Sequence, residues 1–273
     1  MTLPTFDNLI VTLEGQVATI ALNRPKRANA LHLPLWFELK AAFEWLDGEP
    51  TARVGLIRGE GNHFCAGIDL GLFMGLQEEI QDPCHGRMAD KVRGFIVKLQ
   101  DCLTAIERCR KPVIAAIHGS CIGGALDLIA ACDLRYCSAD ARFSLKEVDL
   151  GLVADVGVLQ RLPRIIGDGR TRELAFTARE FHGPEALTMG LVSQCLPDKD
   201  ALLAVALDVA RAIALKSPLT VRGLKENLNF SRDHSVEDGL KYIASWNAAM
   251  LLSEDLMTAA MAMMTKDTAT FRD

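Results

Sequence analysis

Three carboxylates stand in segments that are otherwise apolar, and these residues are the best suited to acid–base chemistry. The first, Asp127, lies within the run VIAAIHGSCIGGALDLIAAC at 113–132, which is apolar enough to be core. An ionised carboxylate in such a segment needs a specific partner, or its pKa shifts. Asp127 is therefore either part of an active site or, if a helix begins near Gly124, a first-turn residue that favours the helix dipole.

The other two carboxylates, Glu147 and Asp155, belong to the acidic segment EVDLGLVADVGV at 147–158, which also holds Asp149 and has no Lys or Arg. Such acids either lie on an exposed loop or line a cleft. The stretch between them could span up to ~26 Å when extended, so only a turn, which Gly151 permits, would bring both to one point. Two carboxylates that converge in an apolar cleft raise at least one pKa, so that one can act as a base and the other as an acid.

Two glycine-containing breaks provide a different chemistry. The segments 63–70 (HFCAGIDL) and 119–124 (GSCIGG) each leave a strand region and lead toward a predicted helix. Free backbone N–H groups at such points bind anions. Two of these segments facing each other could hold one oxyanion between them. The chain has no G-x-G-x-x-G, P-loop or G-x-S-x-G motif.

The hydrophobic pattern predicts the elements that would position these residues. β-Branched runs at 8–13 and 17–22 around a Glu-Gly-Gln turn predict a hairpin. Short strands are predicted at 53–58, 113–117, 134–137 and 141–145. Helices are predicted at 33–46, about 86–109, 124–131, 202–215, 219–230, 235–252 and 254–265. Strands and helices alternate at first and helices dominate later, which predicts an α/β core over 1–200 and a helical region over 201–273.

Composition narrows the function classes. The 273 residues carry 30 Lys+Arg and 35 Asp+Glu, a net charge of −5 without long runs of one sign. This balance argues against nucleic-acid and membrane-surface partners. No uninterrupted apolar stretch reaches the length of a transmembrane helix, and the N-terminus does not resemble a signal peptide. The eight cysteines form no C-x-x-C pair or zinc pattern, so we expect reduced thiols, no metal and a cytoplasmic protein.

At these segments the sequence resembles the enoyl-CoA hydratase/isomerase (crotonase) superfamily. The resemblance rests on NRPKRANAL at 23–31, HFCAGIDL at 63–70 and KPVIAAIHGSCIGGALDLIAACDLRYCSADARFSLKEVDLGL at 111–152. It implies an α/β spiral of strand-strand-helix repeats with a helical C-terminal trimerisation region, and a homotrimer or dimer of trimers. It also implies an acyl-CoA thioester substrate without a separate cofactor, and an oxyanion hole formed by the amides of Ile68 and Gly124. The substrate-binding residues implied are Ala66, Gly67, Asp69 and Leu70, with Lys26 and Arg27 near the CoA nucleotide.

Within the superfamily, the acids Asp127, Glu147 and Asp155 resemble those of the Δ3,5-Δ2,4-dienoyl-CoA isomerases, which act in unsaturated fatty acid β-oxidation. Typical hydratases have Glu at the first position and Gly at the third. Ala125 departs from the isomerase pattern, which more often has Gly there, and the C-terminal Phe-Arg-Asp is not a peroxisomal address. We therefore expect Glu147 to act at C2 and Asp155 at C6, while Asp127 tunes the pair or orients the substrate.

Two other functions remain open at this point. Hydration of 2-enoyl-CoA would use Asp127 and Glu147 to activate water, although the shorter Asp127 disfavours it. The second alternative is a catalytically silent protein that binds acyl-CoA.

Overall fold

The computed structural model of the protein describes residues 3–72, 75 and 80–273. The strands are β1 (Leu9–Glu14), β2 (Val17–Leu22), β3 (Val54–Gly59), β4 (Val113–Ile117), β5 (Ser120–Ile122), β6 (Leu134–Ser138), β7 (Arg142–Ser144), β8 (Phe181–His182) and β9 (Gln194–Leu196). The helices are α1 (Leu33–Gly48), α2 (His85–Arg108), α3 (Gly124–Ala130), α4 (Val158–Ile166), α5 (Asp168–Thr177), α6 (Gly183–Met189), α7 (Lys199–Ala214), α8 (Pro218–Asp233), α9 (Val236–Met250) and α10 (Glu254–Thr265). Short 3₁₀ turns span Pro25–Arg27 and Glu147–Leu150.

Six strands form the main sheet in the order β1-β2-β3-β4-β6-β9. The hairpin β1-β2 is antiparallel and the other pairs are parallel. Both faces of the sheet are covered, which explains why β4 is a continuous apolar run rather than an alternating one. Successive side chains of β4 point to opposite faces: Ile114 and Ala116 belong to a core shared with α7, and Ala115 and Ile117 to the larger core on the other side.

A second sheet contains β5, β7 and β8. The chain passes from the main sheet to this sheet and then to a helix, first through β4, β5 and α3 and then through β6, β7 and α4. An isolated bridge between Cys65 and Cys121 places the segment after β3 beside β5. This segment therefore repeats the passage from the main sheet to the second sheet. The predicted α/β strand-strand-helix fold is thus confirmed. The sequence pattern does not predict β5, β8 or β9, because strands of two or three residues are too short to show alternation.

The C-terminal third begins with a helix that belongs to the sheet. Leu202, Ala206 and Ala210 of α7 are fully buried against the main sheet, so α7 packs with the residues of the predicted core. By contrast, Gly239 is the one buried residue of α9, and none of the described residues 254–265 in α10 is buried. The division at residue 200 stays a prediction. Among the described helices, none is both long and apolar enough to cross a membrane.

Candidate active site

A mainly apolar cavity of about 440 Å³ lies where the two glycine-containing segments meet. Its wall combines residues 66–68, the apolar face of α2, the start of α3 and part of the loop 146–156. We call it the acyl cavity. Its size and its apolar lining with a few polar groups are typical of a small-molecule site.

One polar group in the wall is the amide of Ile68. The amide of Leu31 donates to the carbonyl of Gly67 (2.7 Å), and the amide of Asp69 donates to the carbonyl of Leu31 (3.0 Å). Because Leu31 bonds to the peptide groups on both sides of Ile68, the N–H of Ile68 itself points away from this parallel bridge. That N–H has no acceptor among the described residues.

The second polar group is the amide of Gly124. As the first residue of α3, Gly124 has no acceptor for its N–H within the helix. Both Gly124 and Ile68 line the acyl cavity, and a Cβ placed on Gly124 would lie 3.9 Å from the Ile68 nitrogen. The two free donors are therefore neighbours. Paired N–H groups of this kind stabilise an oxygen that gains negative charge during a reaction.

Gly67 sets the distance between these two amides. Its φ of 87° is in the region that favours glycine. A Cβ at this position would lie 2.4 Å from the carbonyl oxygen of Ile122 and 3.5 Å from the Gly124 nitrogen. Only glycine lets the loop before Ile68 approach the start of α3 so closely.

Replacement of Gly67 by Ala should therefore separate the two amides and lower kcat/KM by about 10–100-fold, somewhat less than deletion of a donor would. The measurement is steady-state turnover of the thioester substrate, with circular dichroism to check folding. Gly169→Ala is the matched control, because a Cβ at Gly169 contacts nothing within 4 Å. Wild-type turnover in folded Gly67→Ala would contradict this account of the loop.

Asn29 holds the same loop, although the sequence reasoning did not identify it. It is fully buried, and its Nδ2 lies within 3.1 Å of the carbonyl oxygens of Glu60, His63 and Phe64. The Cys65 thiol lies 3.2 Å from the Asn29 carbonyl. Asn29 adopts a left-handed φ of 56°, which asparagine tolerates better than most residues. An asparagine between two alanines is therefore the feature of the sequence that could have indicated this turn.

Glu147 lies beside Gly123, the residue before Gly124. It begins the 3₁₀ turn Glu147–Leu150, and its Oε1 would be 3.1 Å from a Cβ placed on Gly123. The other oxygen, Oε2, is buried and has no hydrogen-bond partner among the described residues. Burial is the main cause that raises the pKa of Glu147, and the negative charge of Asp155 adds to it.

Asp155 lines the acyl cavity at its rim, where the side chain is exposed. Gly151, with a φ of 69°, ends the 3₁₀ turn, and the amide of Leu152 returns to the carbonyl of Glu147 (3.0 Å). The Gln100 side chain donates to the backbone carbonyl of Asp155 (2.7 Å). Partial burial raises the pKa of Asp155. The structure thus brings both acids to the cavity that holds the two free amides.

Asp127 lies behind this cavity rather than in its wall. It is fully buried in the first turn of α3, and its Oδ1 accepts a hydrogen bond of 2.6 Å from the amide of Val158, the first residue of α4. Its Oδ2 has no partner among the described residues. Burial raises the pKa of Asp127 to about 7, and the charges of Glu147 and Asp155 act in the same direction. Asp127 therefore caps a helix and is also coupled electrostatically to the two cavity acids.

The raised pKa of Asp127 predicts a pH-dependent stability. Below about pH 4 the group is protonated in both the folded and the unfolded chain. As pH rises from about 4 through about 7, the unfolded chain ionises first, so the free energy of unfolding falls by up to roughly 4 kcal/mol. Asp127→Asn should remove this fall, which urea unfolding at several pH values measures. Asp208→Asn, at an exposed position, is the control, and equal pH curves for wild type and Asp127→Asn would contradict the assignment.

The remaining residues of the substrate-binding prediction lie in two places. Ala66, Gly67 and Leu70 line the acyl cavity. The carboxylate of Asp69 instead pairs with Arg24 (3.3 Å) and accepts a hydrogen bond from the amide of Gly71 (3.2 Å). Its polar contacts are thus made within the protein.

Lys26 and Arg27 lie outside the acyl cavity. Both are exposed in the 3₁₀ turn Pro25–Arg27. The amide of Ala66 donates to the carbonyl of Ala28 (2.9 Å), which places this turn beside the cavity loop. Their contact with the CoA nucleotide stays a prediction.

Comparison with known proteins places this chain in a family. Residues 12–271 match the family Enoyl-CoA hydratase/isomerase. The peroxisomal Delta(3,5)-Delta(2,4)-dienoyl-CoA isomerase of Arabidopsis thaliana is 47% identical over 97% of both chains. The mitochondrial Delta(3,5)-Delta(2,4)-dienoyl-CoA isomerase of Homo sapiens is 46% identical, over 94% of this chain and 79% of that protein.

A solved structure agrees with the sequence relatives. The crystal structure of an enoyl-CoA hydratase from Bacillus anthracis superposes with a TM-score of 0.88 at 31% identity, over 97% of this chain and 99% of that one. Because the family match spans residues 12–271 and the two relatives cover 97% and 94% of the chain, the protein belongs to the enoyl-CoA hydratase/isomerase family.

Proposed function

We propose that this protein is an isomerase that converts 3,5-dienoyl-CoA into 2,4-dienoyl-CoA in the oxidation of unsaturated fatty acids. The observation that carries the proposal is one cavity in which two unpaired amides adjoin two carboxylates of raised pKa, with a third carboxylate behind them. The names of the Arabidopsis thaliana and Homo sapiens relatives support the same substrate class.

The reaction needs an oxyanion site, because the C2 proton of a thioester is only weakly acidic. When that proton leaves, negative charge spreads over an extended dienolate and onto the thioester oxygen. The amides of Ile68 and Gly124 would bind this oxygen. Donors of this kind contribute about 2.7–4 kcal/mol each in organised sites.

The positions of the acids support a division of roles. C2 is bonded to the thioester carbonyl carbon, and Glu147 lies beside Gly123, the residue before the Gly124 amide that would hold the carbonyl oxygen. Ionised Glu147 removes the C2 proton. C6 is four bonds further along the chain, and protonated Asp155 at the cavity rim donates a proton to it, so that the double bonds move to positions 2 and 4. Asp127 acts through Glu147 and Asp155, because its charge changes the electrostatic potential at their carboxyl groups.

The proposal is tested by incubating the purified protein with 3,5-dienoyl-CoA and with 2-enoyl-CoA, followed by ultraviolet absorbance. An isomerase produces the strong absorbance of a conjugated dienoyl thioester from the first substrate. A hydratase removes the absorbance of the second, and a silent binding protein changes neither. Absence of the dienoyl signal, with the protein folded and able to bind acyl-CoA, would overturn the proposal.

A homotrimer or a dimer of trimers is the assembly that we propose. The apolar side chains of α9, of α10 and of the segment between them support it: Leu240, Leu252 and Met264 are 64%, 90% and 86% exposed in the single chain. Exposed apolar area of this kind marks an interaction surface. Light scattering should give three or six times the mass of the chain, and a monomer would contradict the assembly. The cytoplasmic location stays a prediction, since the relatives are named peroxisomal and mitochondrial.

A further inference from the structure

A second cavity, here called the side cleft, meets the acyl cavity at Asp155. It has a volume of about 530 Å³, and its polar wall includes Gln100, Glu107, Gln160 and Arg161. Asp155 and Val156 line both the side cleft and the acyl cavity. Asp155 therefore lies between an apolar chamber sized for a substrate and a polar, open one.

The arginine side chains of the side cleft are already paired with carboxylates. The guanidinium of Arg161 contacts the carboxylate of Glu107 at 2.8 Å and the hydroxyl of Thr104 at 3.3 Å. Arg164 pairs with Asp233 at 2.5 Å. These cations are thus balanced by their own partners, and neither holds the carboxylate of Asp155 in the ionised form. A roomy cavity with a polar wall of this kind is filled by water.

Glu147 has no comparable access to water. It lines the acyl cavity but is not among the described residues that line the side cleft. Its Oε2 is buried and unpaired. An acyl chain in the acyl cavity would close the remaining side, so a proton taken by Glu147 has no outlet until the product leaves.

We infer that Asp155 is reprotonated by water in the side cleft, so that the hydrogen delivered to C6 originates in solvent and not at C2. The inference rests on the proposed function. The C2–H bond breaks, its proton joins Glu147, and its electron pair forms the dienolate. C6 then takes the proton of Asp155. The resulting carboxylate takes a proton from water in the cleft, and Glu147 releases its own proton to solvent after the product departs, which balances the cycle.

The inference is tested by running the reaction in D₂O and stopping it early. Mass spectrometry and NMR of the product should show one deuterium at C6 in nearly every molecule, and recovered substrate should carry none at C2. A 2,4-dienoyl product without deuterium at C6 would overturn the inference while leaving the proposed function intact. Failure to form any 2,4-dienoyl product would instead count against the proposed function.

A variant tests whether the proton travels through the side cleft. Gln160 is exposed in the cleft wall and its side chain makes no hydrogen bond within the described chain, so Gln160→Trp fills the cleft without breaking a bond. Deuterium at C6 should fall several-fold, because the trapped C2 proton then competes for Asp155. Gln194→Trp, at an exposed position of β9 away from both cavities, should leave the label complete. Full labelling in folded Gln160→Trp would overturn the route through the cleft.

Discussion

Asp155→Asn should lower kcat for isomerisation by about 10²–10⁴-fold, the range that a positioned acid or base contributes. The amide has nearly the shape of the carboxylic acid but cannot give a proton to C6. Binding of acyl-CoA should remain nearly unchanged, because the apolar wall and both free amides stay in place. Stopped-flow absorbance measures kcat, and calorimetric titration with a saturated acyl-CoA measures affinity.

The control for this variant is Asp149→Asn. Asp149 belongs to the same acidic segment, but its carboxylate is half-exposed and pairs with Lys146 at 2.8 Å. The Asp149→Asn variant should turn over the substrate nearly as fast as the wild type. Near-normal turnover in Asp155→Asn itself would refute the assignment of the acid.

Glu147→Gln should cause a loss of similar size, about 10²–10⁴-fold in kcat, through the opposite half of the reaction. Ionised Glu147 acts as the base, so the wild-type rate rises with pH through the raised pKa of Glu147. Protonated Asp155 acts as the acid, so the rate falls again as pH rises through the raised pKa of Asp155. In Glu147→Gln the rise at low pH should disappear, which a pH–rate profile measures. Glu44→Gln, an exposed site on α1, is the control.

The strands and helices with a long hydrophobic pattern could be predicted from sequence. β4 is predicted at its observed bounds, since a strand buried on both faces is uniformly apolar and Pro112 and the glycines limit it. The long helix α2 follows from its apolar stripe. The packing of α7 on the main sheet is not visible in the sequence, because the amphipathic pattern shows that a face is buried but not which surface covers it.

The residue types of the site could be predicted from the sequence, but the burial of each residue could not. The glycine-containing segments 63–70 and 119–124 indicate where free amides occur, and Gly67 permits a close approach of backbone. The depth of Asp127 depends on how the start of α4 meets α3, a contact between segments 31 residues apart in the chain. Lys26 and Arg27 belong to no apolar period, so the pattern carried no information about what they contact.

The parallel bridge between Leu31 and Ile68 determines what a substitution at position 68 can alter. The group that the bridge turns toward the substrate is a peptide N–H, which every amino acid except proline supplies. The side chain at 68 can therefore be exchanged to reshape the chamber for longer or shorter acyl tails while the donor remains. Selectivity for the tail and stabilisation of the oxygen are thus separable at a single residue, which makes position 68 a practical target for redesign.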